Sequence, residues 1–420
     1  KLEAQGKPIR VGMIGAGFMG RGLANHIINT KAGIVLAAVS NRNIAGAKRA
    51  YVEHGAPEPV VATTQGQLDD AIKAKKPVVT EDANLLIDSD LIDCLVDVTG
   101  AVEFGAIVTL RAIERKKHMV TMNAELDGTV GPILKKKADK AGIILSGVDG
   151  DQPGVQINLW RFVKGLGVTP LVLGNIKGLQ DEHRNPTTQK GFAEKWGQNP
   201  YMVTSFADGT KVSYEQAIVA NATGMSVHKR GMLGRDHDGH VDELTKMYDV
   251  DELKKLGGAV DYVVKARPGP GIYCLGTHDD PKQRHYLNLY KLGEGPLYSF
   301  YTPYHLCHFE VPTSVARAVL FNDAVIAPLD GPKVDVIATS KVALKAGDVI
   351  DELGGYKSYG VAEKYAISRK ERLLPMGLAE GCKLKRDIPA DTAITYDDVE
   401  IPAGRVADKL RAEQDALWAE

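Results

Sequence analysis

Three glycines spaced as Gly15-x-Gly17-x-x-Gly20 follow the apolar run Ile9-Arg10-Val11-Gly12-Met13-Ile14 and precede a helix-compatible segment, Arg21 to Asn29. A strand, a tight turn and a helix in that order form the context in which this spacing binds a dinucleotide. The first glycine permits the turn, the second lets the backbone approach a pyrophosphate, and the third lets the helix pack closely on the strand. The helix N-terminus then offers free N–H groups and the positive end of its dipole to the anion. The expected pyrophosphate-binding residues are Gly15, Ala16, Gly17, Phe18, Met19 and Gly20.

The end of the next strand, Ile34 to Val39, speaks to which dinucleotide. An NAD site carries an acidic residue about 20 positions beyond the glycines to hold the ribose hydroxyls. Here the chain reads Ser40-Asn41-Arg42, with Lys48 and Arg49 a few residues on. No carboxylate stands there to repel a 2′-phosphate, and Arg42 offers a planar cation to it. The expected cofactor is NADP(H) rather than NAD(H).

The elements that must position these residues alternate in type. Ala45 to His54 reads as a helix, and Leu91 to Val98 as a strand ending in Thr99-Gly100. A helix over Phe104 to Lys116 leads to the strand Met119 to Met122, which ends at Asn123-Ala124-Glu125. A helix over Pro132 to Ala141 leads to Ile143 to Ser146 and then Asp149-Gly150-Asp151. This rhythm implies an α/β fold with a parallel doubly wound sheet. Ligands in such sheets sit beyond the carboxyl ends of the strands. Thr99, Gly100, Asn123, Glu125, Asp149 and Asp151 should therefore converge near the nicotinamide end of the cofactor.

Further along, Leu171 to Ile176 reads as a strand leading into Lys177, Tyr214 to Ala222 as a helix, and His228-Lys229-Arg230-Gly231 as a basic loop. Tyr286–Tyr290 and Leu297–Tyr301 flank Gly293-Glu294-Gly295-Pro296 and read as an antiparallel hairpin. The stretch 181–210, dense in Gly, Pro, Asn, Gln and Thr, reads as a lid. Pro312 opens a helix, Ser314 to Phe321, expected to pack back on the dinucleotide domain. Ala343 to Ile350 and Leu384 to Thr395 read as short strands of a small β-rich unit. Arg235-Asp236-His237-Asp238-Gly239-His240 looks like a metal cluster but reads better as a solvated loop, and His305 and His308 read as structural.

At 420 residues the chain exceeds one core and implies two or three domains. With 52 basic and 53 acidic residues its net charge is −1, which points to neither a nucleic-acid nor a membrane-surface partner. Four cysteines without CxxC spacing make disulfides and structural zinc unexpected. The polar stretch 1–8 has no signal-peptide core, so a cytoplasmic protein is expected.

The glycine fingerprint, Asp97-Val98-Thr99-Gly100, Thr121-Met122-Asn123-Ala124 and Val311-Pro312-Thr313-Ser314 together resemble homoserine dehydrogenases over about residues 9–330. The tail resembles a SAF domain through Leu344 to Ile350 and Arg386-Asp387-Ile388-Pro389. The combination resembles the second, homoserine-dehydrogenase-like form of 1-deoxy-D-xylulose 5-phosphate reductoisomerases. The resemblance implies a Rossmann domain over 1–155, an α+β substrate domain over 156–310, a returning helix over 311–330 and a SAF-like domain over 331–420. It also implies a homodimer. The departure from homoserine dehydrogenases is Glu125, where those enzymes carry a lysine.

The implied reaction rearranges a sugar phosphate and reduces it with NADPH, with Mg²⁺ or Mn²⁺ polarising the carbonyl. On that reading Glu125, Asp149 and Asp151 are the metal ligands. Asn123, Glu125 and Lys177 are catalytic, and Lys177, His228, Lys229 and Arg230 hold the substrate phosphate. Two other readings remain: a dehydrogenase on a homoserine-like or polyol substrate, and an NADPH-binding sensor without turnover.

Overall fold

In the computed structural model, which describes residues 3–30 and 33–419, the chain divides into two compact units. Lys1 and Leu2, the start of the polar N-terminal stretch, lie outside the described residues. The first unit comprises residues 1–151, 306–327 and 409–411, and the second takes the rest.

The first unit begins as the alternation demands. Its elements are β1 (Ile9–Ile14), α1 (Phe18–Thr30), β2 (Ile34–Ser40), α2 (Ile44–Val52), β3 (Val60–Val61), α3 (Gln65–Lys73) and β4 (Val78–Thr80). They continue as α4 (Ala83–Asp88), β5 (Cys94–Asp97), α5 (Val102–Glu114), β6 (His118–Thr121), α6 (Ala124–Ala141) and β7 (Leu145–Ser146). The seven strands form one parallel sheet in the order β3-β4-β2-β1-β5-β6-β7. The doubly wound α/β reading is borne out. Its inner strands β5 and β6 are short, mainly apolar runs buried on both faces, as covered parallel strands must be, while β3 at the sheet edge is exposed. The helix expected from Pro132 starts earlier, at Ala124, and kinks at Val130 just before that proline.

The second unit opens with α7 (Gln152–Gly165), β8 (Thr169–Lys177), α8 (Pro186–Trp196), α9 (Pro200–Ala207) and α10 (Thr210–Thr223). It continues with β9 (Arg235–Asp236), α11 (Val250–Leu256), β10 (Ala259–Val264), β11 (Gly271–Thr277), α12 (Pro281–Leu289) and β12 (Leu297–Thr302). A mixed sheet runs β12-β11-β8-β10-β9. Strands β8, β10 and β9 are parallel, while β11 and β12 are antiparallel to their neighbours. Two expectations fail here. Tyr286–Tyr290 is not a strand: Asp280 caps Lys282 and Gln283, Pro281 occupies the first turn, and α12 runs through the segment. The hairpin partner of β12 is β11. The stretch 181–210 is not a bare lid either. It holds α8, with an Asn185–Thr188 capping box, and α9, capped by Asn199.

The chain then returns to the first unit as α13 (Val311–Phe321), which starts three residues before the expected Ser314, with Pro312 in its first turn. Val311, Val315 and Ala318 join Val11, Met13, Val96 and Val120 in that unit's core.

The tail forms β13 (Val334–Ser340), β14 (Ser358–Lys364), α14 (Tyr365–Lys370), β15 (Lys383–Leu384), β16 (Val399–Glu400) and α15 (Val406–Leu417). Its continuous ladder is β13 with β14, from Val334↔Lys364 to Ser340↔Ser358. The expected strands 343–350 and 384–395 contribute single bridges, Leu344↔Ile388, Val349↔Lys383, Thr339↔Ala393 and Leu373↔Thr395, besides the two-residue β15. Pro389 has no N–H to donate, and Gly347-Asp348 turns the chain. Residues 331–420, expected as a SAF-like domain, fall in the second unit with the middle region apart from 409–411. Thr210 Oγ1 accepts from Gly360 N at 2.8 Å, and Asn221 Oδ1 accepts from Lys333 N and Val334 N at 2.7 and 3.1 Å.

The strongest tie is the fully buried Lys341. Its Nζ donates to Asp208 Oδ2, Arg184 O and Gly355 O at 2.9, 2.7 and 2.8 Å, which uses all three ammonium protons. Lys341→Met leaves the buried Asp208 carboxylate uncompensated and is expected to cost about 3–5 kcal/mol in urea unfolding. Adding Asp208→Leu should recover most of that loss, and a single-mutant cost below about 1 kcal/mol would show that the pair does not hold the tail.

Candidate active site

At the fingerprint, Gly15 sits at φ +105°, which no side-chain-bearing residue takes easily, and its N–H donates to Ser40 O at 2.8 Å. A Cβ on Gly20 would lie 3.0 Å from Gly15 O and from Val98 Cγ2, so α1 can approach β1 and β5 only as glycine permits. Gly17 is exposed, and a Cβ there would meet nothing within 4 Å. The turn is therefore open where a pyrophosphate would lie, in front of the N–H groups of Phe18, Met19 and Gly20 at the first turn of α1. Ala16 is buried behind it.

At the end of β2, Ser40 is buried and Asn41 is engaged locally, its Nδ2 donating to Asn43 O at 2.8 Å. Arg42 is exposed and has no carboxylate partner among the described residues. By contrast, Lys48 pairs with Glu58 at 2.6 Å, and Arg49 with Glu53 at 2.5 Å. Of the three cations near this strand end, Arg42 is the one left for a phosphate. Thr99 and Gly100 follow β5 beside the turn: Thr99 Cγ2 would be 3.2 Å from a Cβ on Gly15.

The polar groups at the neighbouring strand ends are spent on the fold. Asn123 is fully buried and caps α6, accepting from Leu126 N at 3.1 Å. Its Nδ2 donates to Asp97 Oδ2 and Ala101 O at 3.1 and 2.9 Å. Both N–H donors of the amide expected to hold a substrate hydroxyl are thus spent. Asp97 Oδ1 accepts from Thr99 N and Oγ1 at 2.9 and 2.7 Å. Burial pushes the Asp97 carboxyl above its ordinary value, the bonds from Thr99 and Asn123 pull it back, and the Glu125 charge adds to the rise. Glu125 itself is buried in the first turn of α6.

Asp149 is buried as well. Its Oδ2 accepts from Ser314 Oγ at 2.8 Å and its Oδ1 from Arg317 Nη1 at 2.9 Å. Both oxygens are committed to α13, so the expected metal ligand is a structural clamp. Asp151, half-buried, precedes α7. Among the described residues no group of three or more His, Cys, Asp and Glu side chains is placed to hold a metal ion. Glu125, Asp149 and Asp151 do not fit a divalent-metal site.

In the second unit the expected phosphate ligands separate. Lys177 ends β8 in register with Val264 and Asp236. His228 packs instead toward Tyr248, whose hydroxyl meets Asp261, three register rows from Val264 and so on the opposite sheet face. Lys229 is exposed. Arg230 is taken: it pairs with Glu363 at 2.6 Å and Glu371 at 2.5 Å, which removes it from the phosphate set. The 235–240 stretch is a short strand and loop with local pairs, His237 to Glu243 and His240 to Asp242. In the first unit, His308 rests on α1, where a Cβ on Gly22 would lie 2.9 Å from its ring.

Asp261 and Ser314 were not anticipated as organising residues. The signal for Asp261 was present: a lone carboxylate inside the apolar run Ala259-Val260-Asp261-Tyr262-Val263-Val264 must find donors.

Residues 150–311 match the protein family described as "Oxidoreductase DRL, catalytic domain". A homoserine dehydrogenase from Methylobacillus glycogenes is 29% identical over 280 residues, 61% of this chain and 58% of that protein. The chain therefore spans less than two thirds of the length of that curated relative. Among solved structures, GenD2 from gentamicin A biosynthesis, in complex with NAD, is 14% identical over 75% of this chain and 87% of its own, with a TM-score of 0.38. The scyllo-inositol dehydrogenase of Lactobacillus casei, with NAD(H) and scyllo-inositol, is 16% identical over 65% and 67%, with a TM-score of 0.34. Likenesses at this level say nothing of this chain's ligands. The middle region is thus similar to an oxidoreductase catalytic domain. No helix among the described residues is long and apolar enough to cross a membrane.

Glu125→Gln removes one of the charges that raise Asp97, so the Asp97 carboxyl should titrate at lower pH in ¹³C NMR. A raised carboxyl loses stability for the fold as pH climbs from the ordinary aspartate range through the raised value, so that pH-dependent loss should shrink too. An unmoved Asp97 midpoint would show that the Glu125 charge does not reach it.

Proposed function

We propose that the protein is an NADP(H)-dependent dehydrogenase of small polar substrates. The observation that carries this reading is the open turn at Gly17, faced by the N-terminus of α1, with the unpaired Arg42 at the neighbouring strand end. The similarity of residues 150–311 to an oxidoreductase catalytic domain and the similarity to a homoserine dehydrogenase support it.

NADPH, when bound, supplies a hydride. The chain's own part is to hold it. The main-chain N–H groups and dipole of α1 take the pyrophosphate without a side chain intervening. Arg42 takes the 2′-phosphate as a two-pronged donor. Asp97 fixes the Thr99 loop beside the turn through two hydrogen bonds, so that this wall is rigid before the cofactor arrives.

The finer reading, conversion of 1-deoxy-D-xylulose 5-phosphate to 2-C-methyl-D-erythritol 4-phosphate, rests on the sequence resemblance. Among the described residues no carboxylate set is placed to hold its metal. Both readings are tested by cofactor binding followed by turnover. NADPH should bind at least about tenfold more tightly than NADH, and Arg42→Ala should erase most of that preference, the scale of one charge-assisted hydrogen bond. NADP⁺ reduction with homoserine and a polyol panel should then give turnover. NADPH consumption with 1-deoxy-D-xylulose 5-phosphate, abolished by EDTA, would favour the reductoisomerase instead. Tight NADPH binding with no turnover on any of these substrates would favour a sensor, and no NADPH binding would overturn all three.

A further inference from the structure

The second unit holds a polar cluster that the dinucleotide site does not use. The loop 224–234 joins α10 to β9 and is pinned along its length. Gly231 N donates to Ala362 O at 2.8 Å, Arg230 grips Glu363 and Glu371, and Leu233 N and Gly234 N donate to Asp261 Oδ1 at 3.1 and 3.0 Å. These ties set His228 on one side of the anchored stretch and Arg235 on the other. Both lie against one ring. The Arg235 Cζ is 4.9 Å from the centroid of Tyr248, and the His228 and Tyr248 rings are 6.2 Å apart.

Tyr248 is fixed in turn. Its hydroxyl donates to Asp261 Oδ2 at 2.7 Å and lies 3.1 Å from the Tyr273 hydroxyl. Asp261 Oδ1 also accepts from Tyr262 N at 2.9 Å. Three backbone N–H groups crowd Oδ1 of that carboxylate and the phenol takes one lone-pair site of Oδ2. Among the described residues Asp261 makes no ion pair with Arg235.

Two nitrogens remain unanswered. Arg235 Nη1 and His228 Nδ1 are both buried without a hydrogen-bond partner, and Arg235 makes no ion pair among the described residues. A buried guanidinium N–H without an acceptor is costly enough that native folds rarely keep one. Around His228 the facing charges are Asp261 and Glu252 on one side and Arg235 and Lys364 on the other. Neither acid pairs with Arg235 or His228 among the described residues. A guanidinium stacked on a tyrosine, with a ring nitrogen beside the same tyrosine, lacks an acceptor with oxygens for both.

We propose that Arg235 and His228, set against Tyr248, bind the oxyanion of a small ligand, a phosphate monoester or a carboxylate. The site itself stands on the geometry of the second unit. That its occupant is the substrate's anionic end rests on the dehydrogenase reading above. His228 donates from Nδ1 as the neutral tautomer, so the site does not need a charged imidazole.

The test is calorimetric titration of the full chain with inorganic phosphate and, separately, with acetate. Saturable binding of one of them is expected, and the better ligand identifies the class. Arg235→Met should weaken it at least tenfold and His228→Gln several-fold, with NADPH affinity unchanged in both. In the unmodified protein, the bound anion should also shift the His228 ring resonances, identified by their loss in His228→Gln. That measurement keeps the test decisive if Arg235→Met fails to fold. Absence of saturable binding to both anions, binding unchanged in a folded Arg235→Met, or unmoved His228 resonances would overturn the site. Absence of NADPH binding with the anion site intact would overturn the dehydrogenase reading and leave the anion site standing.

Discussion

A carboxylate taken out of water has to be answered on both oxygens, and in the first unit Asp149 is answered by a helix about 165 residues further along the chain. Ser314 donates to one oxygen and accepts from the Asp149 N–H, while Arg317 takes the other and leans on Asp323. Next to this clamp Cys307 N donates to Gly150 O, and Ser146 Oγ accepts from Val325 N. The stretches 1–151 and 306–327 thus close into one body around a shared core. The alignment of β1 with β5, on which the glycine turn depends, is set inside that core.

The same economy explains which groups are left for chemistry. Polar side chains at the strand ends of the first unit are consumed in holding strand to helix: Asn123 caps α6, Asp97 ties the Thr99 loop, and Asp149 clamps α13. What is left without a structural duty among the described residues is the main-chain donors of α1 and the solvent-facing Arg42. In the second unit the pattern repeats. Arg230 is spent pinning its loop, Asp261 is spent gathering three backbone N–H groups and a phenol, and Arg235 is left with an unanswered donor.

Local physics was legible wherever a segment's own residues decide its conformation. The turn at Gly15, the helix opened by Pro312 and the buried strands β5, β6 and β8 all follow from runs of a few residues. Errors arose where two local signals competed. Tyr286 to Tyr290 has strand-like composition, yet Asp280-Pro281 nucleates a helix just upstream and the segment propagates it. In 181–210 the Asn-Pro pairs that looked like lid punctuation are helix starts, because Asn caps and proline suits the first turn.

By itself the sequence determined the dinucleotide turn, the parallel alternation that carries it, and the absence of an acid at the end of β2, since each depends on spacing within some thirty residues. The tertiary structure alone decided which charged groups are free. Whether Asp149 is a ligand or a clamp, whether Arg230 or Arg235 has an open donor, and whether Asn123 can reach a substrate depend on partners in distant segments. A side chain's chemistry is written in its type, but its availability is set by what the fold brings within hydrogen-bond distance of it.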